Sequence, residues 1–251
     1  MSFPNIVYLD YGQEKTTAAS AIGNLPLGVL GVLPDGRKFR HARSSATAMV
    51  AGSLYQGNAS AFAGDAAYIN DLAVVSGGSV GSTQVVITAG ATTGVSKDQL
   101  KDGMMYSTGG VGYKIKSNTV AAAGSSITID LYEPIKVALA AGTTLVGLRE
   151  NPFYSLTVTT ADTVGGGQVA GVAPVAVTAS YYCWIQRGGE CNALTDGTLV
   201  KGVGIVPAAT AAGAVHVFAS ATVSVKSNEI IGKCLDVAAS TEFSRVWLSL
   251  E

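Results

Sequence analysis

Ionised side chains are scarce in this sequence. Lys, Arg, Asp and Glu make up 13% of the 251 residues, whereas ordinary soluble domains contain roughly 25%. Ala, Gly, Thr, Ser and Val take their place, so the surface has little charge with which to hold water or repel other copies. Because such a surface is stable mainly when it is buried against other subunits, we expect a component of an assembly. The alternative is a monomer with a polar Ser/Thr surface.

The sequence also lacks the signals for a nucleic-acid, membrane or secretory role. Its net charge of −1 is too small to indicate binding to nucleic acid or to an anionic membrane. The opening MSFPNIVYLDYGQEK has no basic region followed by an apolar core, so we expect no secretory signal. The uncharged stretch 163–186 contains no Leu and is interrupted by glycines and Pro174. A flexible linker that runs into a strand is predicted here, rather than a membrane span.

Cysteine is scarce too, and its spacing argues against disulfide and zinc chemistry. Cys183 and Cys191 belong to YYCWIQRGGECNALTDGTLVKG, which we interpret as a β-hairpin with Gly188-Gly189 as its two-residue loop. In that register the two sulfurs lie too far apart for a disulfide. The cysteine count of three is odd, and no C-x-x-C spacing is present. Cys183, Cys191 and Cys234 are therefore predicted to be small apolar core residues.

The sequence supports no class of enzyme. Residues 77–81 read GGSVG and match the G-x-S-x-G nucleophile elbow, but that motif precedes a helix, whereas here the strand-like QVVIT follows. His216, the base that Ser79 would need, lies in an alternating strand pattern. The acidic residues are scattered, without an evident pair for acid–base catalysis. We predict no enzyme activity, no metal and no cofactor, and keep an esterase that uses Ser79 as the enzymatic alternative.

What the sequence does contain is period-two alternation, which is typical of half-buried strands. The stretch SSITIDLY places Ile127, Ile129 and Leu131 on one face, and YKIKS, FYSLTVTT and HVFASATVSVKS alternate in the same way. Both tryptophans, Trp184 and Trp247, lie in alternating stretches. We therefore expect both indole rings in the core.

Turn signals punctuate these strands, and helix signals are few. Pro-Asp-Gly at 34–36 and Asp-Gly at 102–103 and 196–197 predict turns. A two-turn helix is predicted in 134–142, between Pro and Gly, and one helical turn in 96–103. The predicted fold class is all-β with a few short helices, arranged as small β-barrel- or sandwich-like units with an extended N-terminal arm.

Composition predicts five segments along the chain. They are an extended N-terminal arm at 1–24, a β-hairpin region at 25–70, a central β domain at 71–155, a linker at 156–177 and a C-terminal β domain at 178–251.

Two of these segments carry candidate partner-binding residues. The arm spaces four large apolar side chains along its length, each a contact for a neighbouring subunit: Phe3, Ile6, Tyr8 and Tyr11. The hairpin stretch DGRKFRHAR concentrates four cations: Arg37, Lys38, Arg40 and Arg43. The cations protect an edge strand from wrong pairing, or they bind an acidic partner, more plausibly a protein than a nucleic acid.

Four stretches resemble, in order, the capsid decoration or cement proteins of tailed bacteriophages. They are LGVLGVLPDGRKFRHA; DGMMYSTGGVGYKIKSN with SITIDLYEPIKVAL and LRENPFYSL; YYCWIQRGGECNALTDGTLVKG; and IIGKCLDVAASTEFSRVWLSLE. The similarity covers about residues 25–251. It consists of an aromatic pair, Trp-x-Gln-x-x-Gly, glycine punctuation and a closing apolar strand.

The resemblance implies a non-enzymatic virion protein that is made in the host cytoplasm and sits on the capsid exterior. Its expected partners are the major capsid protein and copies of itself, as a homotrimer, with neither nucleic acid nor membrane involved. The alternative is a head-fibre, tail or adhesin-type virion protein that binds a host surface glycan.

Overall fold

The computed structural model describes residues 6–57, 71–159, 167–218 and 230–251. Within these ranges the regular structure consists of strands β1 to β17 and two short 3-10 helices, Gln13–Lys15 and Ile22–Asn24. The all-β prediction is therefore confirmed. The chain divides into two compact units: unit 1 comprises Met1–Ala59 and Pro152–Glu251, and unit 2 comprises Ser60–Asn151.

Unit 2 contains a closed six-stranded β-barrel. Its strands follow the order β10-β5-β6-β9-β8-β7, and pairing of β10 with β7 closes the barrel. Their bounds are β5 (Leu72–Ser76), β6 (Gln84–Thr88), β7 (Met104–Ser107), β8 (Gly112–Asn118), β9 (Ser126–Leu131) and β10 (Leu145–Arg149).

The barrel core follows the predicted alternation. Ile127 and Ile129 of β9 and Ile115 of β8 are fully buried, because alternate side chains of a barrel strand point to its interior. The neighbouring Thr128 and Lys116 point away from the core and are more exposed. The period-two prediction is confirmed for these strands.

Unit 1 is built on one eleven-stranded sheet. Eight strands follow the path β1-β2-β3-β13-β17-β16-β14-β15, while β12 pairs with both β13 and β4, and β4 pairs with β11. The bounds are β1 (Ile6–Tyr8), β2 (Leu30–Val32), β3 (Lys38–Arg43), β4 (Leu54–Gln56), β11 (Thr157–Val158), β12 (Val169–Val172), β13 (Tyr182–Leu194), β14 (Gly204–Pro207), β15 (Val215–Val217), β16 (Gly232–Cys234) and β17 (Phe243–Ser249).

The predicted hairpin at Gly188-Gly189 is wrong, because β13 runs through it as one 13-residue strand. β3 pairs with the first half of β13 and β17 with the second half, so the two glycines lie inside the sheet. The register shifts between Gln186 and Gly188, and Gly189 has φ 84°. The glycine pair thus marks a bulge, which bends a strand without ending it.

The helix predicted in 134–142 does not form. The amide groups of Ile135 and Leu139 donate to the carbonyl oxygens of Ser82 and Gly78, each at 2.8 Å. Both side chains are buried in the barrel core. The Pro and Gly that favoured a helix therefore bound a loop that is hydrogen-bonded to residues 78–82.

Residues 96–103 form consecutive turns instead of a helical turn. Asp98 has φ 57° and Asp102 has φ 60°, and this left-handed conformation interrupts a right-handed helix. The turn predicted at 102–103 is present. The turn at 34–36 is present as well, with the Gly36 amide donating to the Leu33 carbonyl at 2.9 Å.

The two tryptophans have different environments. Trp184 is 2% exposed, as predicted, whereas Trp247 is 51% exposed, so its predicted core position is wrong. Strand β17 alternates strictly, with Val246 and Leu248 buried. Because Trp247 lies between them, it points to the opposite face of the sheet.

Segments predicted to be an arm and a linker both contain strands of the sheet. β1 lies within 1–24, and β11 and β12 lie within 156–177. β12 is buried along its whole length, so this part of the predicted linker is core. Within the described residues of the alternating FYSLTVTT, only Thr157 and Val158 are in a strand, and Ser155 before them has φ 58°. Most of HVFASATVSVKS lies outside the described residues.

Close packing of β16 on β17 predicts that Gly232→Ala destabilises unit 1. A Cβ at this position would lie 2.0 Å from the carbonyl oxygen of Trp247, and a backbone atom can move aside only if the strands separate. We expect a loss of about 1–3 kcal/mol, measured by urea unfolding. Gly204→Ala is the control, because its nearest neighbour would be an Ile230 methyl carbon at 3.4 Å. Equal unfolding midpoints for the two variants would contradict this account.

Candidate interaction surface

Strand β1 forms one end of the main path of the sheet. Within the described residues it pairs only with β2, in parallel, so the backbone groups along its other edge are available to a further strand. Ile6 and Tyr8 are 42% and 82% exposed, and Tyr11 is 64% exposed. Phe3, the fourth predicted contact residue of the arm, lies outside the described residues. We call Ile6, Tyr8, Tyr11 and the outer edge of β1 the β1 edge.

The β1 edge is held firmly on unit 1. Val7 packs against a cluster that contains Leu9, Phe39 and Trp184. Further along, the amide of Ala18 donates to the Tyr182 carbonyl at 3.0 Å. Residues 6–18 therefore present their exposed side chains from a fixed position, which lowers the entropy lost on binding a partner.

The predicted cationic residues are mostly engaged within the chain. Arg37 forms an ion pair with Asp35 at 2.8 Å, and Arg40 forms one with Glu251 at 2.8 Å. Arg43 donates to the Ser180 carbonyl at 3.1 Å and lies over the ring of Tyr154.

Lys38 is the fourth cation of this group and has no such partner in the described part of the chain. The expectation that these charges protect an edge strand is wrong, because β3 lies between β2 and β13. Arg40 and Arg43 thus link β3 to other segments of unit 1, Arg37 pairs with Asp35 of its own turn, and Lys38 is left for a partner.

Arg187 and Glu251 form a further cluster that sequence reasoning missed. Arg187 is 7% exposed, and its guanidinium donates to the carbonyl oxygens of Val169 and Ala170 and to Glu251 Oε1, each at 2.9 Å. Arg40 binds the same carboxylate, and its hydrogen bonds are the main reason that the pKa of Glu251 lies below its usual value. This cluster joins β3, β12 and β13 to the last residue of the sequence.

The outward face of β13 and β17 carries a second group of exposed side chains, which we call the β13–β17 face. It consists of Glu190 and Asn192 from β13, and Phe243, Arg245 and Trp247 from β17. Phe243 and Trp247 are 57% and 51% exposed. Arg245 lies between them and donates to Glu190 Oε1 at 3.0 Å.

Two concavities flank this face. One has a volume of about 530 Å³ and is lined by Phe243 and Asn192 among others. The other has a volume of about 400 Å³ and is lined by Trp247 and the turn at 35–37. Arg37 and Glu190 line both. The alternation of the sequence did not predict these concavities. Trp184 and Trp247 both lie in alternating stretches, so the sequence does not show which of the two is exposed.

The cysteines behave largely as predicted. All three are free, and Cys183 and Cys234 are buried while Cys191 is partly exposed. Burial raises the pKa of Cys183 and of Cys191 to about 12. Both thiols are therefore protonated near neutral pH and are weak nucleophiles.

The candidate nucleophile elbow lacks the required context. Strand β6 follows Ser79, as predicted, and Ser79 and His216 belong to different compact units. His216 Nδ1 is hydrogen-bonded to the Asp196 carbonyl. No group of three potential metal ligands occurs among the residues that the structure describes.

Across the described ranges, no helix has the length and apolar character needed to cross a bilayer. No protein-family model, curated protein or solved structure matches the chain.

The lowered pKa of Glu251 predicts an acid-sensitive contribution to stability. Its stabilising effect is present above the ordinary pKa near 4.5 and is lost as the pH falls through the lower value of the folded state. Glu251→Gln should reduce the unfolding free energy at pH 7 by about 1–3 kcal/mol, since Arg187 loses a charge-assisted hydrogen bond. The difference from wild type should shrink in acid.

Urea unfolding across this pH range measures the effect. Asp236→Asn is the matched control, because Asp236 also has a lowered pKa and an arginine partner, but its side chain is 45% exposed against 17% for Glu251. Exposed ion pairs contribute little to stability. A larger loss from Asp236→Asn than from Glu251→Gln would contradict the assignment.

Proposed function

We propose that this protein is a non-enzymatic structural component of a tailed-phage virion, a decoration protein that binds the outer surface of the capsid and reinforces it. The observation that supports this function best is the β1 edge. It combines an open strand edge with three exposed apolar side chains, Ile6, Tyr8 and Tyr11, held on a rigid sheet. The resemblance to decoration proteins and the low charge of the chain favour the same function.

The β1 edge offers two kinds of contact to a capsid subunit. A strand of the partner that pairs with it gains main-chain hydrogen bonds, whatever its side chains are. Tyr8 and Tyr11 add large apolar contacts, and tyrosine is frequent among residues that dominate binding energy. Together these contacts suit a protein that must hold junctions between subunits.

Self-association is the second part of the proposal. Specific interfaces bury about 1,600 Å² in total, and a surface poor in charge loses little hydration when it is covered. We propose that copies of this chain meet on the capsid as a homotrimer, with the major capsid protein beneath them.

Substitution of the two exposed tyrosines tests capsid binding. In co-sedimentation with capsids that lack the protein, Tyr8→Ala with Tyr11→Ala should weaken binding at least thirty-fold, since a dominant interface residue contributes about 2 kcal/mol or more. Val237→Ala is the control, because Val237 is 68% exposed on the same unit and lies outside β1. Unchanged binding of the double variant would rule out the β1 edge.

Substitution is preferable to deletion of residues 1–24, because deletion also removes Leu9 from a buried cluster.

The salt dependence of capsid binding distinguishes an apolar contact from an ionic one. Lys38→Ala should weaken binding only at low salt, since exposed charges are screened beyond about 10 Å at 0.1 M. A loss of wild-type binding in high salt would instead assign the contact to charges.

A further inference from the structure

The smaller concavity of the β13–β17 face has the composition of a ligand site. Three separate parts of unit 1 form it: the turn between β2 and β3, the bulge of β13, and β17. We propose that it binds a neutral saccharide, with Trp247 as the stacking surface and Glu190 and Arg37 as hydrogen-bonding groups. Its lining residues are Asp35, Gly36, Arg37, Gly189, Glu190 and Trp247.

The indole of Trp247 provides a large apolar surface at this site. Trp184 is buried in the core, whereas Trp247 is 51% exposed. Trp247 lines a concavity of about 400 Å³, a volume within the usual range of small-ligand sites. Gly36 and Gly189 contribute no side chains to its wall, so the concavity stays open. The C–H face of a pyranose ring can pack on an indole in such a space.

The polar groups around the indole retain unused hydrogen-bonding capacity. Arg37 Nε binds Asp35 at 2.8 Å, and Glu190 Oε1 accepts from Arg245 at 3.0 Å. In the described part of the chain, the Arg37 terminal nitrogens and Glu190 Oε2 have no hydrogen-bond partner. Adjacent sugar hydroxyls donate to a carboxylate and accept from a guanidinium, so these groups match a saccharide.

The charges at the site favour a neutral ligand. Asp35 pairs with Arg37, and Arg245 is shared by Glu190 and Asp236, so these groups carry no net positive charge and an anionic sugar gains no attraction. Main-chain pairing to a peptide is restricted at this site, because β3 lies between β2 and β13 and β17 lies between β13 and β16.

This inference is independent of the capsid-binding proposal, because the site is distinct from the β1 edge. Tryptophan fluorescence of the full chain provides the first measurement. The probes are neutral trisaccharides of glucose, galactose, mannose and N-acetylglucosamine, with sialylated trisaccharides and an unrelated ten-residue peptide for comparison. At least one neutral sugar should cause a saturable change, since Trp247 is the exposed tryptophan.

Calorimetric titration of variants then locates the site. Trp247→Ala and Glu190→Gln should each weaken binding at least tenfold, while Phe243→Ala, an exposed aromatic on the same strand that does not line this concavity, should bind as wild type. The proposal is overturned if no neutral sugar binds, if only sialylated sugars or the peptide bind, or if Trp247→Ala retains wild-type affinity.

Discussion

The pairing of β13 on both of its edges organises unit 1. One half of this strand bonds to β3 and the other to β17, so two parts of the sheet that are far apart in sequence share a single backbone. The bulge between the halves turns Gln186 inward, where its side chain donates to the Glu190 carbonyl at 2.8 Å. Arg187 uses the same bend to reach three backbone carbonyls and Glu251.

This central pairing determines which parts of unit 1 can bind a partner. β3 and β17 have neighbours on both sides, so most of their backbone groups are satisfied within the sheet. Among the described residues, β1 lies at the end of the path and retains an open edge. The sequence suggested that Arg37, Arg40 and Arg43 could bind a partner, but each of them forms an ion pair or a carbonyl hydrogen bond within its own chain. Binding through this surface therefore depends on backbone edges and exposed rings more than on charge.

The two proposed sites on this unit differ in chemistry. The β1 edge offers an extended apolar and backbone contact, which suits a broad protein surface such as a capsid subunit. The concavity beside Trp247 is small, carries no net positive charge and is lined by one ring with unused polar groups, which suits the neutral saccharide proposed. A decoration protein with such a concavity would attach to the capsid through one site and to a glycan through the other.

Alternation in the sequence was sufficient to predict the all-β class, the barrel core around Ile127 and Ile129, and the burial of Trp184, because burial on a strand repeats every second residue. It could not distinguish a bulge from a hairpin loop at Gly188-Gly189, since both require the same backbone freedom. The exposure of Trp247 and the internal pairing of Arg40 and Arg187 were decided by the tertiary structure alone. Both depend on which strands become neighbours, and that follows from contacts between residues far apart in the chain.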